Sequence, residues 1–413
     1  MRKNSNSALR EGFTTGSAAA AAARAATVFA LTAEAPEFVD IPLPPPHPAD
    51  QDRLRIAIAH VADDGMGVRA AVLKDAGDDP DATHGARIEA HVILDPAFSG
   101  VGPHVLIGGG VGVGRVTLPG LPVAVGQAAI NPGPLEQIRQ SVLEVLPDYF
   151  KGIALVVIEV PGGEDIARHT LNPRLGITGG ISILGTGGVV RPYSHGAWAE
   201  CVRRSLDVAR AAGHGAVVMT TGRRSERFFQ ERYASAPDIC LVQAADFYAL
   251  SLRSAAERGF GCVVWAVFFG KLVKQAQGFE STHAREAELD FGLLARWAGE
   301  AGADDAACAA ILGANTAAQV LALLSGDVAG DVAGRLTALL VGRAKAAAAR
   351  HLDGHLDGHL DGHLDEQRDG QASTALDVRY VVFGLDGGCL YADDISPALF
   401  SPAPPLHLGR ASR

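Results

Sequence analysis

This chain of 413 residues has little cysteine and no long hydrophobic run. Its five cysteines never form a C-x-x-C pair, which argues against a disulfide framework or a zinc site and is typical of reduced thiols in a cytoplasmic protein. No run of about 18 apolar residues is free of charge or glycine, so no membrane span is predicted. The formal net charge of −10 argues against a nucleic-acid partner, because a phosphate backbone requires a basic surface.

Named catalytic and nucleotide-binding motifs are also missing. Neither GGGVGVG (108–114) nor GTGG (185–188) satisfies the dinucleotide pattern G-x-G-x-x-G. FFGKL lacks the upstream glycine and the hydroxyl residue of a phosphate loop, and neither H-E-x-x-H nor G-x-S-x-G occurs. An assignment as a dehydrogenase, NTPase or hydrolase therefore has no support beyond the fold class.

The apolar patterning that is present predicts a mixed fold, α/β and α+β. Residues 1–148 form an α+β domain, because runs such as RLRIAIAHV (53–61) alternate apolar and polar residues as half-buried strands do. Residues 149–345 are predicted to form a Rossmann-like α/β domain with a doubly wound parallel sheet. Its strands are mainly apolar runs: ALVVIEV (154–160), AVVMTT (216–221), ICLVQ (239–243) and CVVWAV (262–267). They alternate with helical segments at about 195–212, 223–233, 246–258 and 270–277, and a further helical stretch follows at 304–324.

Two further segments end the chain. Residues 346–374 contain HLDGHLDGHLDGHLDEQRDG and are predicted to be a low-complexity insertion, since a glycine in every repeat costs a helix about 1 kcal/mol. A helix that stacks its histidines into a metal site is the alternative, and no protein-bound metal is predicted. Residues 375–413 supply a last strand, DVRYVVFGLDG, and a tail that pack back on the core.

The stretch LREGFTTGSAA, which runs into AAAAARAA, predicts a helix that begins near Thr14 and Thr15. Alanine is the best helix former, and hydroxyl side chains cap helix N-termini. Two interpretations stay open. Either the helix start, with Arg10 before it, holds an anionic group of the substrate, or it is an ordinary capped helix that packs closely on a sheet.

Loops that follow the proposed strands carry further candidates, because ligands bind at the carboxyl ends of parallel strands. The loops that follow successive strands are PGGED, TGGVVRP, GRRSE, AADFY and FFGKLVK. Their glycines, hydroxyls and cations are expected to converge on one edge and to suit a ligand with several negative charges. Arg223 and Arg224 begin a helix, where two cations are unfavourable unless an anion joins them. Lys271 and Lys274 follow another strand, with a solvated helix face as the alternative.

Several blocks of this chain resemble the successive motifs of the CbiD family. They are LREGFTTGSAAAAAARAA, VTLPGLPVAVGQAAINPGP, TLNPRLGITGGISILGTGGVVRPYS, TTGRRSE, FGKLVKQAQG and the ANTAAQVL stretch. The resemblance implies a cobalt-precorrin-5B C(1)-methyltransferase of cobalamin biosynthesis. In such an enzyme S-adenosylmethionine donates a methyl group to ring carbon 1 of a cobalt-containing tetrapyrrole, and cobalt-precorrin-6A is formed.

Candidate residues for S-adenosylmethionine follow two of the proposed strands. A glycine-rich loop is the first group, with a tight turn as the alternative: Gly185, Thr186, Gly187 and Gly188. Glu159 and Asp165 are the second group, as partners of ribose hydroxyls, with solvated surface carboxylates as the alternative.

The implied substrate carries many carboxylates, which accounts for a basic site on an acidic protein, and it also carries the cobalt. Asn131 joins the candidates for substrate binding, unless it only shapes a turn. His283 is the candidate catalytic residue, because a proton must leave the substrate after methylation and histidine accepts protons near neutral pH. A purely structural histidine is the alternative.

Two other functional classes stay open. A non-catalytic carrier of corrinoid intermediates would use the same basic edge. A Rossmann-type oxidoreductase is disfavoured because its fingerprint is missing. Further expectations are a homo-oligomer and transient contacts with other enzymes of the corrin pathway.

Overall fold

The computed structural model describes residues 9–45, 53–96, 102–325, 331–356 and 376–402. Contacts within the chain divide it into two units, Met1–His195 and Gly196–Arg413. The sequence predicts an earlier boundary, at 148/149. The difference arises because the apolar strand predicted at 154–160 pairs with strands of the first unit.

The first unit is built on a mainly antiparallel sheet. Its elements in chain order are β1 (Gly12–Phe13), α1 (Thr15–Thr32), β2 (Phe38–Pro42), β3 (Arg53–Ala57), β4 (His60–Asp63), β5 (Val68–Leu73), β6 (Arg87–Asp95), β7 (His104–Gly109), β8 (Gly112–Val113), β9 (Arg115–Val116), α2 (Pro132–Leu143), β10 (Ile153–Glu159), α3 (Gly163–Ala167), β11 (Ile177–Thr178), β12 (Gly180–Ile181) and β13 (Val189–Val190). The sheet has the order β4-β5-β6-β10-β7, in which β10 and β7 run parallel and the other neighbours antiparallel. The remaining strands form short pairs: β1 with β13, β2 with β3, β8 with β12 and β9 with β11.

Helix α1 packs closely on this sheet because its contact face consists of alanine. The alanines at 18–23, 25 and 26 are fully buried in one core with strand residues such as Ala70, Ile88 and Val156. Alanine loses no side-chain entropy in a helix, and its small side chain lets the helix backbone approach the strands. The helix ends at Ala33, which adopts the left-handed conformation with φ 58°.

The second unit contains a sheet with four parallel strands and one antiparallel edge strand. Its elements in chain order are α4 (His195–Ala211), which begins at the boundary, β14 (Ala216–Thr220), α5 (Arg223–Arg232), β15 (Leu241–Gln243), α6 (Tyr248–Glu257), β16 (Cys262–Phe268), α7 (Phe269–Ala276), α8 (Phe291–Glu300), α9 (Asp305–Leu312), α10 (Ala317–Leu324), α11 (Val332–Leu356), β17 (Asp377–Phe383) and β18 (Cys389–Ala392). The strand order is β15-β14-β16-β17-β18, and β18 is the antiparallel strand.

Apolar side chains cover both faces of the second sheet. Val217 and Trp265 pack on one face with residues of α6, α7 and α11. Val218 and Ala266 pack on the other face with Phe229 of α5. Because successive strand residues point to opposite faces, a strand that is covered on both sides must be apolar throughout.

The predicted mixed α/β class is confirmed, and differences are local. The helical stretch predicted at 304–324 is two helices, α9 and α10, because Thr316 caps a new helix after Gly313. Residues 346–356, which the sequence predicts to belong to the insertion, are instead helical, since the alanine-rich run before the repeat extends α11 to Leu356. The rest of the repeat lies outside the described residues. No helix in the described parts of the chain is long and apolar enough to span a membrane.

Candidate active site

The GTGG loop closes over the start of α1. The Thr14 hydroxyl accepts a hydrogen bond from the Ser17 backbone N–H at 3.1 Å, and the Thr14 N–H donates to the Gly188 carbonyl at 3.0 Å. The Gly16 N–H donates to the Leu184 carbonyl at 3.1 Å. All three N–H groups are bound within the protein, whereas an anion site at this helix end needs them available.

Thr15 holds the same loop from inside the core. Its hydroxyl lies 3.2 Å from the carbonyl oxygens of Ser182 and Leu184 and accepts the Leu184 N–H at 2.9 Å. Both Thr14 and Thr15 are buried. Their hydroxyls are thus engaged in capping and packing, as the alternative interpretation expects, and a role in substrate binding stays a prediction.

The three glycines of this loop have different surroundings. Gly185 has φ 129°, and a Cβ there would lie 2.3 Å from the Thr14 Cγ2. Gly188 has φ 72°, and a Cβ there would lie 2.8 Å from the Leu43 Cδ2. Gly187 has no left-handed φ, and a Cβ there would meet no atom within 4 Å. The fold therefore accounts for Gly185 and Gly188, while Gly187 borders open space.

Asn131 lies beside this loop, directly before α2. Its N–H donates to the Ile183 carbonyl at 2.9 Å, and its side chain makes no capping hydrogen bond. The starts of α1 and α2 are adjacent, since a Cβ on Gly16 would lie 2.8 Å from the Pro134 Cγ. The structure thus brings Asn131, the GTGG loop and the start of α1 together.

Arg10 is paired within the protein. Its guanidinium binds both carboxylate oxygens of Asp75, one at 2.9 Å, and its backbone N–H donates to Asp78 at 2.7 Å. The hydrogen bond from Arg10, followed by the Gly77 N–H, lowers the pKa of the Asp75 carboxyl to about 2. The Arg10 guanidinium, which is predicted to bind a substrate carboxylate, is therefore already paired with the Asp75 carboxylate of the protein itself.

The two acidic candidates in the first unit have different environments. Glu159, at the end of β10, forms an ion pair with Arg69. The Asp165 side chain is 80% exposed and pairs with Arg168 at 3.2 Å. Asp165 is therefore a solvated surface carboxylate, as the alternative interpretation expects, and the charge of Glu159 is balanced by Arg69. Ribose binding by either residue stays a prediction.

In the second unit, the carboxyl ends of the parallel strands meet at one edge of the sheet. Thr220, the last residue of β14, stands opposite Gln243 of β15 and Ala266 of β16. The chain leaves β14 through α5 on one face and leaves β16 through α7 on the other. In open α/β sheets, ligands bind at the carboxyl ends of the strands beside such a reversal.

Arg223 and Arg224 begin α5 at this edge of the sheet. Arg224 lies over the ring of Phe268 at 5.3 Å and donates a hydrogen bond to the Leu385 carbonyl. Arg223 is exposed and makes no hydrogen bond, ion pair or ring contact with the described residues. In the first turn of α5, the Arg224 side chain is therefore bound by other residues of the protein, whereas the Arg223 side chain has no partner among the described residues.

Glu226, which the sequence reasoning missed, is a buried carboxylate in the same turn. Its side chain accepts hydrogen bonds from the Gln243 amide at 3.2 and 3.4 Å and lies 3.5 Å from the Thr220 hydroxyl. A carboxylate is favoured near a helix N-terminus. The sequence feature that could have identified Glu226 is the TTGRRSE block, which ends with this residue.

Lys271 and Lys274 of α7 converge on one carbonyl oxygen. Both ammonium groups lie 3.1 Å from the Thr282 carbonyl oxygen. Lys271 also forms an ion pair with Asp246, which accepts the Thr282 hydroxyl hydrogen bond at 2.9 Å. Asp246 and Thr282 were missed from the sequence, although AADFY follows a predicted strand. This group of two cations and one carboxylate carries a surplus positive charge.

The pKa directions in this group follow from its geometry. Burial raises the pKa of the Asp246 carboxyl, but Lys271, Thr282 and the nearby His283 outweigh it, and the net pKa is lowered. Burial, followed by the charge of Lys271, lowers the pKa of Lys274. The candidate base His283 thus lies beside the two lysines, and it is half-buried.

The predicted convergence of all strand-end loops on one edge is wrong. PGGED and GTGG belong to the first unit, whose strand β10 pairs with β6 and β7. GRRSE, AADFY and FFGKLVK follow β14, β15 and β16 of the second sheet. An apolar strand has no feature in its own sequence that selects its partners, so the first two loops were assigned to the wrong sheet.

Comparisons with known proteins cover most of the chain. The family model CbiD matches residues 2–192, and the model described as CbiD, C-terminal domain, matches residues 281–360. A cobalt-precorrin-5B C(1)-methyltransferase from Nitratidesulfovibrio vulgaris is 52% identical over 79% of this chain and 84% of its own length. One of the same name from Geobacillus kaustophilus is 47% identical over 76% of this chain and 82% of its own length.

One solved structure is also similar, the crystal structure of a cobalamin biosynthesis protein (cbiD) from Archaeoglobus fulgidus. It is 28% identical, the match covers 62% of this chain and 76% of that one, and the TM-score is 0.35. The two family models together span more than half of the residues. The chain belongs to the CbiD family.

Proposed function

We propose that this protein methylates cobalt-precorrin-5B at ring carbon 1, with S-adenosylmethionine as the methyl donor. The observation that carries the proposal is the 52% identity with an enzyme of that name over 84% of its length. The surplus cations at the strand ends of the second unit support it, because the substrate is a polycarboxylate.

Arg223 is the first proposed contact for a substrate carboxylate. It follows β14 at the carboxyl edge of the parallel sheet, has no partner among the described residues and begins a helix, where the backbone dipole also favours an anion. Arg224 has a supporting role, because its guanidinium is already held by the Leu385 carbonyl and the Phe268 ring. A planar guanidinium suits two-point binding of a carboxylate.

Lys274 is the second proposed contact. Lys271 is matched by Asp246, whereas the one hydrogen bond of Lys274 goes to a carbonyl oxygen that it shares with Lys271. An arriving carboxylate relieves the repulsion between the two ammonium groups and supplies the missing negative charge. We therefore assign Lys271 to the protein framework and Lys274 to the substrate.

Methyl transfer makes modest demands on the side chains. S-adenosylmethionine, when bound, supplies a methyl group on a sulfonium sulfur, and this group passes to ring carbon 1 as the carbon–sulfur bond breaks. The protein's task is to align donor and acceptor and to exclude water. We assign His283 to accept the proton that leaves the substrate, since it lies with Lys271 and Lys274 around Asp246.

For the second unit we further propose a Rossmann-like, doubly wound arrangement. Support comes from four parallel strands, apolar clusters on both faces and helices α5 and α7 on opposite faces. For the first unit, Gly187 stays the one glycine of its loop with room for a ligand.

The test is transfer of a labelled methyl group from S-adenosylmethionine to cobalt-precorrin-5B by the purified protein. We expect labelled product with wild type and a raised KM with Lys274→Met, which should keep the wild-type melting temperature. Lys271→Met should instead melt earlier, because it leaves Asp246 without its cation. Binding of the tetrapyrrole without any methyl transfer would point to a carrier and overturn the proposal.

A further inference from the structure

An open cleft of about 560 Å³ lies in the first unit, at the carboxyl ends of the parallel strands β7 and β10. Its lining includes most of the GGGVGVG run, together with Arg115, Glu164 and Thr178. The volume lies within the range of about 300–1,000 Å³ that small-molecule sites have in proteins. The cleft thus has room for one ligand of cofactor size.

The fold explains why the cleft wall is made of glycine. A Cβ on Gly112 would lie 1.8 Å from the Val160 carbonyl oxygen, and one on Gly114 would lie 2.4 Å from the Ile177 Cγ2. Both glycines are thus required by close packing within the protein. Because glycine carries no side chain, the backbone of this wall is also accessible to a ligand from the cleft side.

The charges in the cleft are not internally matched. Glu164 is exposed and makes no side-chain hydrogen bond or ion pair with the described residues, in contrast to its neighbour Asp165, which pairs with Arg168. Arg115 donates a hydrogen bond to the Gly126 carbonyl from one nitrogen, and its side chain is exposed. A free carboxylate and an exposed guanidinium thus border the same cleft.

Apolar surface completes the lining. The Val111 side chain is 71% exposed, although valine is usually buried, and Val113 and Ala128 also line the cleft. A ligand that fits has a flat apolar part, hydrogen-bonding hydroxyls and charges of both signs. A nucleoside joined to a zwitterionic amino acid has all of these.

We propose that this cleft binds the adenosyl and methionyl parts of S-adenosylmethionine, with Glu164 as acceptor for the ribose hydroxyls or the ammonium group. The inference rests on the proposed methyltransferase function and adds a donor site in the first unit that is separate from the GTGG loop. The exposed valine gives the adenine an apolar surface, and Arg115 faces the methionyl carboxylate.

The test is calorimetric titration of the full-length protein with S-adenosylhomocysteine. Glu164→Gln should raise the Kd about tenfold, as expected for the loss of one charge-assisted hydrogen bond. Thr178→Trp should fill the cleft and weaken binding by roughly a hundredfold, while Thr178→Val keeps the Kd within about threefold. Thr178 is exposed, so these variants should melt as wild type does.

Glu34→Gln is the matched control, because Glu34 is an exposed acid of the same unit that lies after α1. It should leave the Kd unchanged, and an equal effect of both acid variants would contradict a specific role for Glu164. If wild type binds S-adenosylhomocysteine and the cleft variants bind it equally well, the cleft is not the donor site, while the proposed function stands. If wild type does not bind it, both proposals fall.

Discussion

Two helix starts in this protein share the letters TTG and have opposite surroundings. At α1, the Thr14 N–H donates to the Gly188 carbonyl of the GTGG loop, and the Gly16 N–H and the Thr15 hydroxyl bind Leu184 directly before that loop. At α5, Gly222 occupies the cap position without a side-chain cap, and Arg223 extends from the first turn without a partner in the described chain. The start of α1 is thus a sealed start, because residues of the protein bind its polar groups. The start of α5 is an open start, because Arg223 has no partner in the described chain.

The difference shows that a helix start becomes a binding site only when tertiary structure leaves its groups unmatched. Both starts have hydroxyl residues and available backbone dipoles in their sequences. At α1 a returning loop supplies acceptors for the orphan N–H groups. At α5 the first turn lies at the carboxyl edge of a parallel sheet, and its Arg223 side chain has no partner among the described residues.

The largest expected effect concerns the open start. Arg223→Met should weaken tetrapyrrole binding by about 10- to 100-fold, which corresponds to one charge-assisted hydrogen-bonding site of about 1.5–3 kcal/mol. Stability should change by less than about 0.5 kcal/mol, because no internal contact is lost. Fluorescence titration with the substrate and a thermal melt measure both quantities.

Arg227→Met is the control for this experiment, because Arg227 lies one turn later in α5 and pairs with Glu231 at 3.5 Å. It should bind the tetrapyrrole as wild type does. Equal weakening by both substitutions would mean that overall charge, and not the helix start, attracts the substrate.

The next effect concerns the sealed start. Thr15→Val keeps the side-chain shape but leaves the Leu184 N–H without its acceptor, which should lower the free energy of unfolding by about 1–3 kcal/mol. Urea denaturation measures the loss. Thr32→Val at the exposed end of α1 is the matched control and should cost far less. A Thr15 variant of normal stability that fails to bind ligand would reverse our interpretation of this helix start.

Two glycines of the loop that seals α1 should respond differently to alanine. Gly188→Ala should destabilise the protein by about 1 kcal/mol or more, because φ is 72° and the Leu43 side chain is close. Gly187→Ala should change stability by less than about 0.5 kcal/mol, since its Cβ points to open space. Melting curves decide this, and equal losses at both positions would contradict the described loop conformation.

The Gly187 variant also separates two possible donor sites. If S-adenosylhomocysteine binds in the glycine-rich cleft, Gly187→Ala should keep the wild-type Kd. A large loss of binding at unchanged stability would instead favour the GTGG loop as the donor site.

The smallest expected effect is a pH dependence before α1. The pKa of Asp75 is lowered from an ordinary 3.8 to about 2 because Arg10 binds its carboxylate. A carboxyl with a lowered folded-state pKa stabilises the protein above its unfolded pKa, and this contribution is lost as the pH falls from about 4 towards 2. Asp75→Asn should flatten the stability curve over this range, and the change should be modest because the pair is open to solvent.

Individual elements of the second unit could be read from local sequence. The runs at 216–221 and 262–267 are observed as β14 and β16, and the segments between strands form α4 to α7 close to their predicted bounds. Apolar runs of strand length and helical segments between them carry these signals directly. The predicted approach of AADFY to FFGKLVK is seen in the ion pair of Asp246 with Lys271.

Partner choice could not be read in this way. Strand β10 has the same apolar character as β14 and β16, yet it pairs with β6 and β7. The GGGVGVG run matches no nucleotide motif, and only the folded chain places Glu164 and Thr178 beside it. Asp246 and Glu226 are ordinary acidic residues until their contacts with Lys271 and Gln243 are known.

The sequence by itself determined the local elements and the family, because alanine content, apolar periodicity and motif order are written in neighbouring residues. Tertiary structure alone decided which charged side chains form ion pairs within the protein and which are available to a ligand. Arg10 and Arg223 are the same residue type, but Asp75 forms an ion pair with Arg10, whereas no described side chain forms an ion pair with Arg223. The availability of a charge depends on atoms that are distant in sequence and close in space, and this is why the binding residues had to be found in the fold.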